Sequence, residues 1–214
     1  MIRVYLSGRS GRMGQVLEGL INERDNMEVV EDNEDVIIDF SNFENIENVL
    51  NRARERKTPL VIGTTAITLE QHRLIDEAAL EFPILQSANM SLGINLISGL
   101  LEQMVKVLGK DFDIAISERH HINKKDAPSG TALLLLDDLT REGYKNKEDI
   151  TVNAYRGGTI PGDHEVMFMG LDENIEISHH ALSRKIFGNG ALTAAEFIIT
   201  KENGRYTMRD LLGI

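Results

Sequence analysis

Arg119, His120, His121, Lys124 and Lys125 fall within seven residues of a chain that carries 23 Lys and Arg against 34 Asp and Glu, a formal charge of −11. In so acidic a protein this local reversal of sign marks a place for an anion. Directly downstream, Asp126-Ala127-Pro128-Ser129-Gly130-Thr131 reads as the start of a helix, with Pro128 in its first turn and the N–H groups of Ser129 to Thr131 beyond reach of helical partners. Such N–H groups beside Lys and His suit a carboxylate or a phosphate, and a histidine can also release a proton near neutral pH. A solvated basic edge is the plainer alternative.

A second constellation sits at the N-terminus, where Gly8, Gly11 and Gly14 are spaced GxxGxxG between an apolar strand and an apolar-periodic helix. Glycines there let backbone approach a pyrophosphate, whose charge then meets free N–H groups and the positive end of the helix dipole. The spacing is one residue longer than the common GxGxxG, and a plain tight turn is the competing explanation. Gly63-Thr64-Thr65 ends another strand of the same predicted sheet. Ligands of parallel sheets bind at the carboxyl ends of strands, so the two loops support each other. Metal binding is disfavoured. The pairs His120-His121 and His179-His180 point to opposite sides of a strand, and the chain has neither an HxxxH spacing nor any Cys. His164, His179 and His180 fit either structural hydrogen bonding or the lining of a cavity, and His72 reads as exposed on a helix.

These loops need elements to hold them. Ile2, Val4 and Leu6 alternate with polar or longer neighbours as in a strand, and Met13, Val16, Leu17, Leu20 and Ile21 recur at helical spacing. Residues 36–40, 60–62 and 83–86 are further apolar strands. A helical stripe through Phe43, Ile46, Val49, Leu50 and Ala53, and a helix opened by the capping-box pair Thr68 and Gln71, lie between them. Strands and helices that alternate four times within 90 residues predict a parallel sheet covered on both faces. After a long helix over 92–108, strand-like runs cluster at 113–118, 150–156 and 164–178, the last with a turn near Gly170, and only a helix over 128–140 interrupts them. That grouping predicts an α+β region with a mixed or antiparallel sheet. The segment 191–200 returns to the first region as helix or strand.

The fold class is therefore α/β: a Rossmann-like parallel-sheet dinucleotide-binding domain over 1–89 and 190–214, with a second α+β domain over 90–189. Composition excludes several alternatives. An acidic chain makes a poor default nucleic-acid binder. With 42% apolar and 27% charged residues, the balance is that of a folded protein. Zero Cys removes disulfides and thiolate chemistry. No signal-like N-terminus and no membrane-length apolar run are present, so a cytoplasmic protein without a membrane partner is expected.

Taken in order, Gly8-Arg9-Ser10-Gly11-Arg12-Met13-Gly14, Asp39-Phe40-Ser41, Gly63-Thr64-Thr65, Asn89-Met90-Ser91-x-Gly93-x-Asn95 and Glu118-x-His120-His121-x-x-Lys124-x-Asp126-Ala127-Pro128-Ser129-Gly130-Thr131-Ala132 resemble the 4-hydroxy-tetrahydrodipicolinate (dihydrodipicolinate) reductase family. The likeness continues through Arg156-x-Gly158, Gly162-x-His164, His179, Arg184, Phe187-x-x-Gly190-Ala191 and Met208 to Leu212, and so spans the chain. Arg119 departs from the small residue usual there.

The resemblance implies a homotetramer that uses NADH or NADPH to reduce a cyclic unsaturated dicarboxylate in lysine biosynthesis through diaminopimelate, with a shortened dinucleotide-binding domain and a second α+β domain for substrate binding and oligomerisation. It implies that Gly8, Arg9, Ser10, Gly11, Arg12, Met13, Gly63, Thr64, Thr65, Ser87, Ala88, Asn89 and Met90 hold the cofactor. It places a substrate carboxylate on Ser129, Gly130 and Thr131 with help from His121 and Lys124, makes His120 the proton donor, and gives Lys124 a supporting catalytic charge. Carry-over fails after the first helix. Only Glu31 to Asp35 separate Val30 from Val36, too few for a helical crossover, so the segment that normally reads the adenosine ribose is cut down or absent. Acidic Glu31 or Asp32 would favour NADH, whereas Arg9 or Arg12 could meet the extra phosphate of NADPH. A sensor that has lost catalysis and another imine dehydrogenase of similar plan are the rival classes. The first is opposed by the intact His120, Lys124, Ser129, Gly130 and Thr131, the second by the combined His-His, Lys and Pro-Ser-Gly-Thr block.

Overall fold

The computed structural model describes every residue of the 214 except Glu142 and Tyr144. It divides into two compact units, Met1–Leu92 with Arg184–Gly213, and Gly93–Ser183 with Ile214.

The first unit contains strands β1 (Ile2–Ser7), β2 (Met27–Val29), β3 (Val36–Asp39), β4 (Leu60–Ile62) and β5 (Pro83–Gln86), and helices α1 (Arg12–Asn22), α2 (Ile46–Arg56) and α3 (Leu69–Ala78). After the long helix α4 (Leu92–Leu108) and the second unit, the chain returns through helix α6 (Lys185–Ile198), strand β10 (Gly204–Tyr206) and helix α7 (Met208–Leu212). Six strands form one wholly parallel sheet in the order β10-β5-β4-β3-β1-β2. Alternate residues serve its two faces, as the pleat requires. Val4, Leu6, Val36, Ile38, Val61 and Leu85 pack against α1 and α6, whereas Ile37, Leu60, Ile62 and Ile84 pack against α2 and α3. The return segment, left open in the sequence between helix and strand, is helix α6, whose Ala191, Leu192, Ala194, Ala195 and Ile198 are buried. The capping box of α3 forms as its spacing predicts: Gln71 N–H donates to Thr68 Oγ1, and Thr68 N–H to Gln71 Oε1.

Strands β2 and β3 both pair with β1, on opposite sides of it, and only residues 30–35 join them, without a helix. Polar side chains replace the packing that a crossover helix would supply. Arg3 grips Asp35 through its backbone N–H at 2.8 Å and its guanidinium at 2.6 and 3.1 Å. Arg52 of α2 donates to Glu34 at 2.9 Å and to the Glu31 carbonyl at 2.6 Å, while its guanidinium lies 3.5 Å from the centre of the Tyr5 ring. A cation on an aromatic face is attracted by the ring quadrupole, so one arginine ties the link to both sheet and helix.

The second unit carries strands β6 (Asp113–His120), β7 (Ile150–Arg156), β8 (Asp163–Met169) and β9 (Asn174–His180), with helix α5 (Gly130–Thr140) between β6 and β7. Their order is β7-β6-β8-β9; β6 and β7 run parallel and the other pairs antiparallel. Ile114, Ile116, Ile150, Val166 and Phe168 form a core with Leu101 and Val105 of α4 and Leu135, Leu136 and Leu139 of α5. Both helices therefore cover one face. The alternate residues, Ala115, Ser117 and Arg119 beside Met167 and Glu165, form the other. Arg119 thus points away from His120, and pairs with Glu165 at 3.8 Å. Pro128 does not enter the first turn of α5. The start is set by Ser129, whose Oγ accepts from Ala132 N–H at 3.2 Å, so Pro128 precedes the cap. Among the described residues no helix is long and apolar enough to cross a membrane.

Candidate active site

In the first unit the turn between β1 and α1 is built on glycine for stated reasons. Gly8 has φ +80, and a Cβ there would lie 2.7 Å from the Phe40 carbonyl oxygen and 2.8 Å from Ser41 Cα. At Gly14 a Cβ would overlap the carbonyl oxygens of Gly8 and Arg9, so this glycine lets α1 start directly against the turn. Gly11 is the N-cap, its N–H donating to the Gly8 carbonyl at 2.9 Å. The resulting shelf of small residues at a helix N-terminus is a cradle that side chains would fill, which fits a bound pyrophosphate. Ser10 and Arg12 are exposed, and Met13 is half-buried. Arg9 is held by two carboxylates, Glu18 at 2.5 Å and Glu31 at 2.5 Å.

Asp39, fully buried at the end of β3, organises the neighbouring loops. Its carboxylate accepts from Ser41 Oγ at 2.6 Å and from Thr64 Oγ1 at 2.6 Å, binding the turn after β3 to the turn after β4. A Cβ on Gly63 would strike the Phe40 ring, whereas Thr65 is exposed. In the loop after β5, Ser87 Oγ donates to the Asn89 carbonyl at 2.8 Å and accepts the Asn89 N–H at 3.2 Å, and Ala88 is exposed. Met90 is 2% exposed and belongs to the core, so it offers a ligand its backbone and not its side chain.

In the second unit the strand β6 brings Glu118 and His120 to the same side, two residues apart. Glu118 is 0% and His120 7% exposed. Glu118 Oε2 lies 2.6 Å from His120 Nδ1, and Glu118 Oε1 accepts Ser129 N–H at 3.0 Å. Arg156 of β7 grips both carboxylate oxygens, Nη1 donating to Oε2 at 2.8 Å and Nη2 to Oε1 at 2.7 Å. Burial would push the Glu118 carboxyl up, but Arg156, His120 and the Ser129 N–H together hold it below the usual range. For His120, burial lowers the imidazole, Glu118 opposes that, and Lys124 and Arg156 add to the lowering.

His164 of β8 meets the His120 ring edge-on, centroids 5.2 Å apart, and its Nε2 lies 3.0 Å from Ser129 Oγ. Burial first, and then His120, pushes His164 down to about 4, so near neutral pH it is an uncharged hydrogen-bonding partner. His179 stands opposite His164 in the β8–β9 register, while His180 is exposed, 3.3 Å from Asp163. His121 closes a turn with Lys124, whose N–H donates to the His121 carbonyl at 3.1 Å. Lys124 Nζ lies 2.8 Å from Asp126, and Lys125 and Gly130 are exposed while Thr131 is half-buried. Thus the fold brings His120, Ser129 and the N-terminus of α5 together through Glu118. Sequence reasoning gave no role to Glu118, Arg156 or Asp39. Asp39 stands out in the sequence as the single charge of the apolar run Val36 to Phe40, whereas Glu118 and Arg156 lie in strands with other polar residues and carry no such signal. His72 is half-buried against Arg205 of β10 at 2.8 Å, contrary to its reading as exposed. Among the described residues no group of three or more His, Asp or Glu could hold a metal ion.

Two family profiles match the chain: dihydrodipicolinate reductase, N-terminus, over residues 25–90, and dihydrodipicolinate reductase, C-terminus, over residues 93–212. The chain belongs to the dihydrodipicolinate reductase family. It is accordingly an oxidoreductase. The 4-hydroxy-tetrahydrodipicolinate reductase of Caldanaerobacter subterraneus subsp. tengcongensis is 42% identical, covering 99% of this chain and 98% of that protein. The enzyme of the same name from Rickettsia rickettsii is 37% identical over the whole of both chains. The first alignment runs over 248 positions against 214 residues here, so at least 34 positions of that relative have no counterpart. The solved dipicolinate-bound dihydrodipicolinate reductase from Paenisporosarcina sp. TG-14 shares the fold, with TM-score 0.83, 19% identity and 97% of each chain covered. A myo-inositol dehydrogenase from Corynebacterium glutamicum is a more distant fold neighbour, with TM-score 0.61, 14% identity and 95% and 90% coverage.

Proposed function

We propose that this reductase converts 4-hydroxy-tetrahydrodipicolinate to tetrahydrodipicolinate in the diaminopimelate route to lysine, with His120 supplying the proton. Exchanging the 4-hydroxyl for hydrogen consumes a hydride and a proton and releases water. The observation that carries the reading is the cluster at the end of β6, where a buried histidine and the N-terminus of α5 share one carboxylate, Glu118. A reduced nicotinamide dinucleotide supplies hydride when bound. The first unit is its binding domain, with Gly8 to Met13, Gly63 to Thr65 and the backbone from Ser87 to Met90 as its holders. The second unit is the substrate domain. There the first turn of α5 at Ser129, Gly130 and Thr131, with His121 and Lys124, receives a substrate carboxylate, which takes the Lys124 ammonium from Asp126. The uncovered face of the second sheet is the surface offered for assembly into a homotetramer, and a soluble, cytoplasmic setting suits a small-molecule dicarboxylate substrate.

The test is oxidation of the reduced dinucleotide with freshly generated substrate, compared with uncharged cyclic imines. Lys124→Ala is expected to raise KM and lower kcat for the dicarboxylate, and Thr131→Val to act mainly on KM. Equal, small effects of both on dicarboxylate and uncharged imine alike reject the anion site, and failure to turn over the named substrate rejects the function.

For the cofactor we infer use of both NADH and NADPH. Arg12 is exposed at the start of α1, Arg9 is neutralised by Glu18 and Glu31, and the helix-free link leaves little surface to enforce one ribose type. Selectivity is expected to stay below the two to three orders of magnitude that a strongly placed charge imposes at about 1.4 kcal/mol per tenfold. Arg12→Ala is expected to weaken NADPH more than NADH. Dissociation constants for both cofactors decide the point: strict use of one rejects dual use, and parallel weakening rejects the role of Arg12.

A further inference from the structure

We propose that Glu118 is the positioning residue of the proton-transfer step, fixing His120 so that its proton leaves from Nε2 and locking the anion-binding turn at Ser129 to that ring through its other oxygen. The inference rests on His120 being the proton donor. A carboxylate is an acceptor only, so its 2.6 Å contact with His120 requires the hydrogen to sit on Nδ1. The neutral ring then has a bare Nε2, and in the imidazolium the proton available for transfer is the one on Nε2. When it departs, the Nε2–H bond breaks, its electron pair stays on Nε2, and the ring returns to the Nδ1–H tautomer, to be reprotonated from solvent. Glu118 remains ionised throughout, because the bidentate Arg156 guanidinium occupies both of its oxygens.

Two further observations fit this division of labour. Gly162 stands where a side chain would crowd the releasing atom: a Cβ there would lie 2.9 Å from His120 Nε2, so a glycine keeps that edge clear. Glu118 is also fully buried and bonded on both oxygens, so it cannot itself rotate to meet a substrate. It reaches the chemistry only through the two groups it holds. The charged and titratable groups around His120 are Glu118 on its own strand, Arg156 of β7, His164 of β8 and Lys124 of the following loop, with Asp126 paired to Lys124. Among the described residues Glu118 is the single anion in direct contact with the ring, and Arg156 the cation that opposes it from behind.

The test uses the whole chain. Nitrogen-15 spectra of the histidine-labelled wild-type protein, with His120 assigned by its loss in His120→Gln, are expected to show neutral His120 as the Nδ1–H tautomer. The Nε2–H tautomer overturns the proposal without any Glu118 variant having to fold. A general acid loses kcat as pH rises through its pKa. Glu118→Gln removes the hydrogen-bonded charge that holds the proton on the ring and is expected to move this limb at least about one unit to lower pH, while Arg156→Met removes a nearby positive charge and is expected to move it to higher pH. A merely structural role moves the limb in neither variant or in the same direction in both. If His120→Gln abolishes turnover and the limb stays put in both variants, the positioning role falls and the donor stands. If His120→Gln keeps wild-type turnover, the donor assignment itself falls.

Discussion

His120→Gln is expected to lower turnover by about a hundredfold or more, the usual size of a lost general acid, with dinucleotide affinity unchanged. Glutamine approximates the volume of the imidazole and can still donate from an amide to Glu118, so the turn held at Ser129 should survive. It has no proton to release near neutral pH. The expected signature is therefore a fall in kcat with KM within a few-fold of wild type. His164 cannot take over, because burial beside His120 holds it at about 4 and leaves it uncharged at working pH. Single-turnover rates with saturating dinucleotide measure the effect free of product release, and a variant with wild-type rates removes His120 from the chemistry.

Gly14→Ala is expected to damage the dinucleotide-binding turn severely. The added carbon would overlap two backbone carbonyl oxygens, those of Gly8 and Arg9, and backbone cannot swing aside as a side chain does. Overpacking of this kind costs about 1–3 kcal/mol or more. Here the strain can be relieved only by pushing the β1–α1 turn away from the helix, which spoils the cradle. A rise of about tenfold to a hundredfold in the dinucleotide dissociation constant is expected, at about 1.4 kcal/mol per tenfold. Gly19→Ala is the control. Gly19 lies in the same helix with nothing within 4 Å of its added carbon, so alanine there should stabilise by about 0.5–1 kcal/mol. Denaturation midpoints and titration of the dinucleotide on both variants check the contrast. Similar behaviour of the two would show that the turn yields easily.

The regular elements were legible because their causes are local. The strand at Leu60–Ile62, the limits of α4 and the Thr68–Gln71 cap follow from the side chains within one turn or one pleat. What stayed hidden depends on partners far along the chain. Glu118 reads in sequence as one of several polar residues in a strand, and becomes a hub only because Ser129 and Arg156 come to it from 11 and 38 residues away. Asp39 is the same case, meeting Thr64 across 25 residues. The missing crossover helix was visible as a gap too short to hold one. That Arg52 would replace it was not, since the contact of Arg52 with Glu34 and Tyr5 exists only once α2 lies on the sheet. Pro128 misled through a sound propensity: it suits a first helical turn, but the Ser129 cap decided where that turn begins.

The parallel sheet of the first unit ends on each side in a three-residue strand, β2 and β10. A sheet margin with unpaired amides is a template onto which another chain can add, and a short margin carrying charge offers too few amides in register to hold it. Glu28 on β2 and Arg205 on β10 place such charges at the two margins. A β2 of three residues before the abbreviated link therefore leaves few amides at that margin with which a second copy could pair.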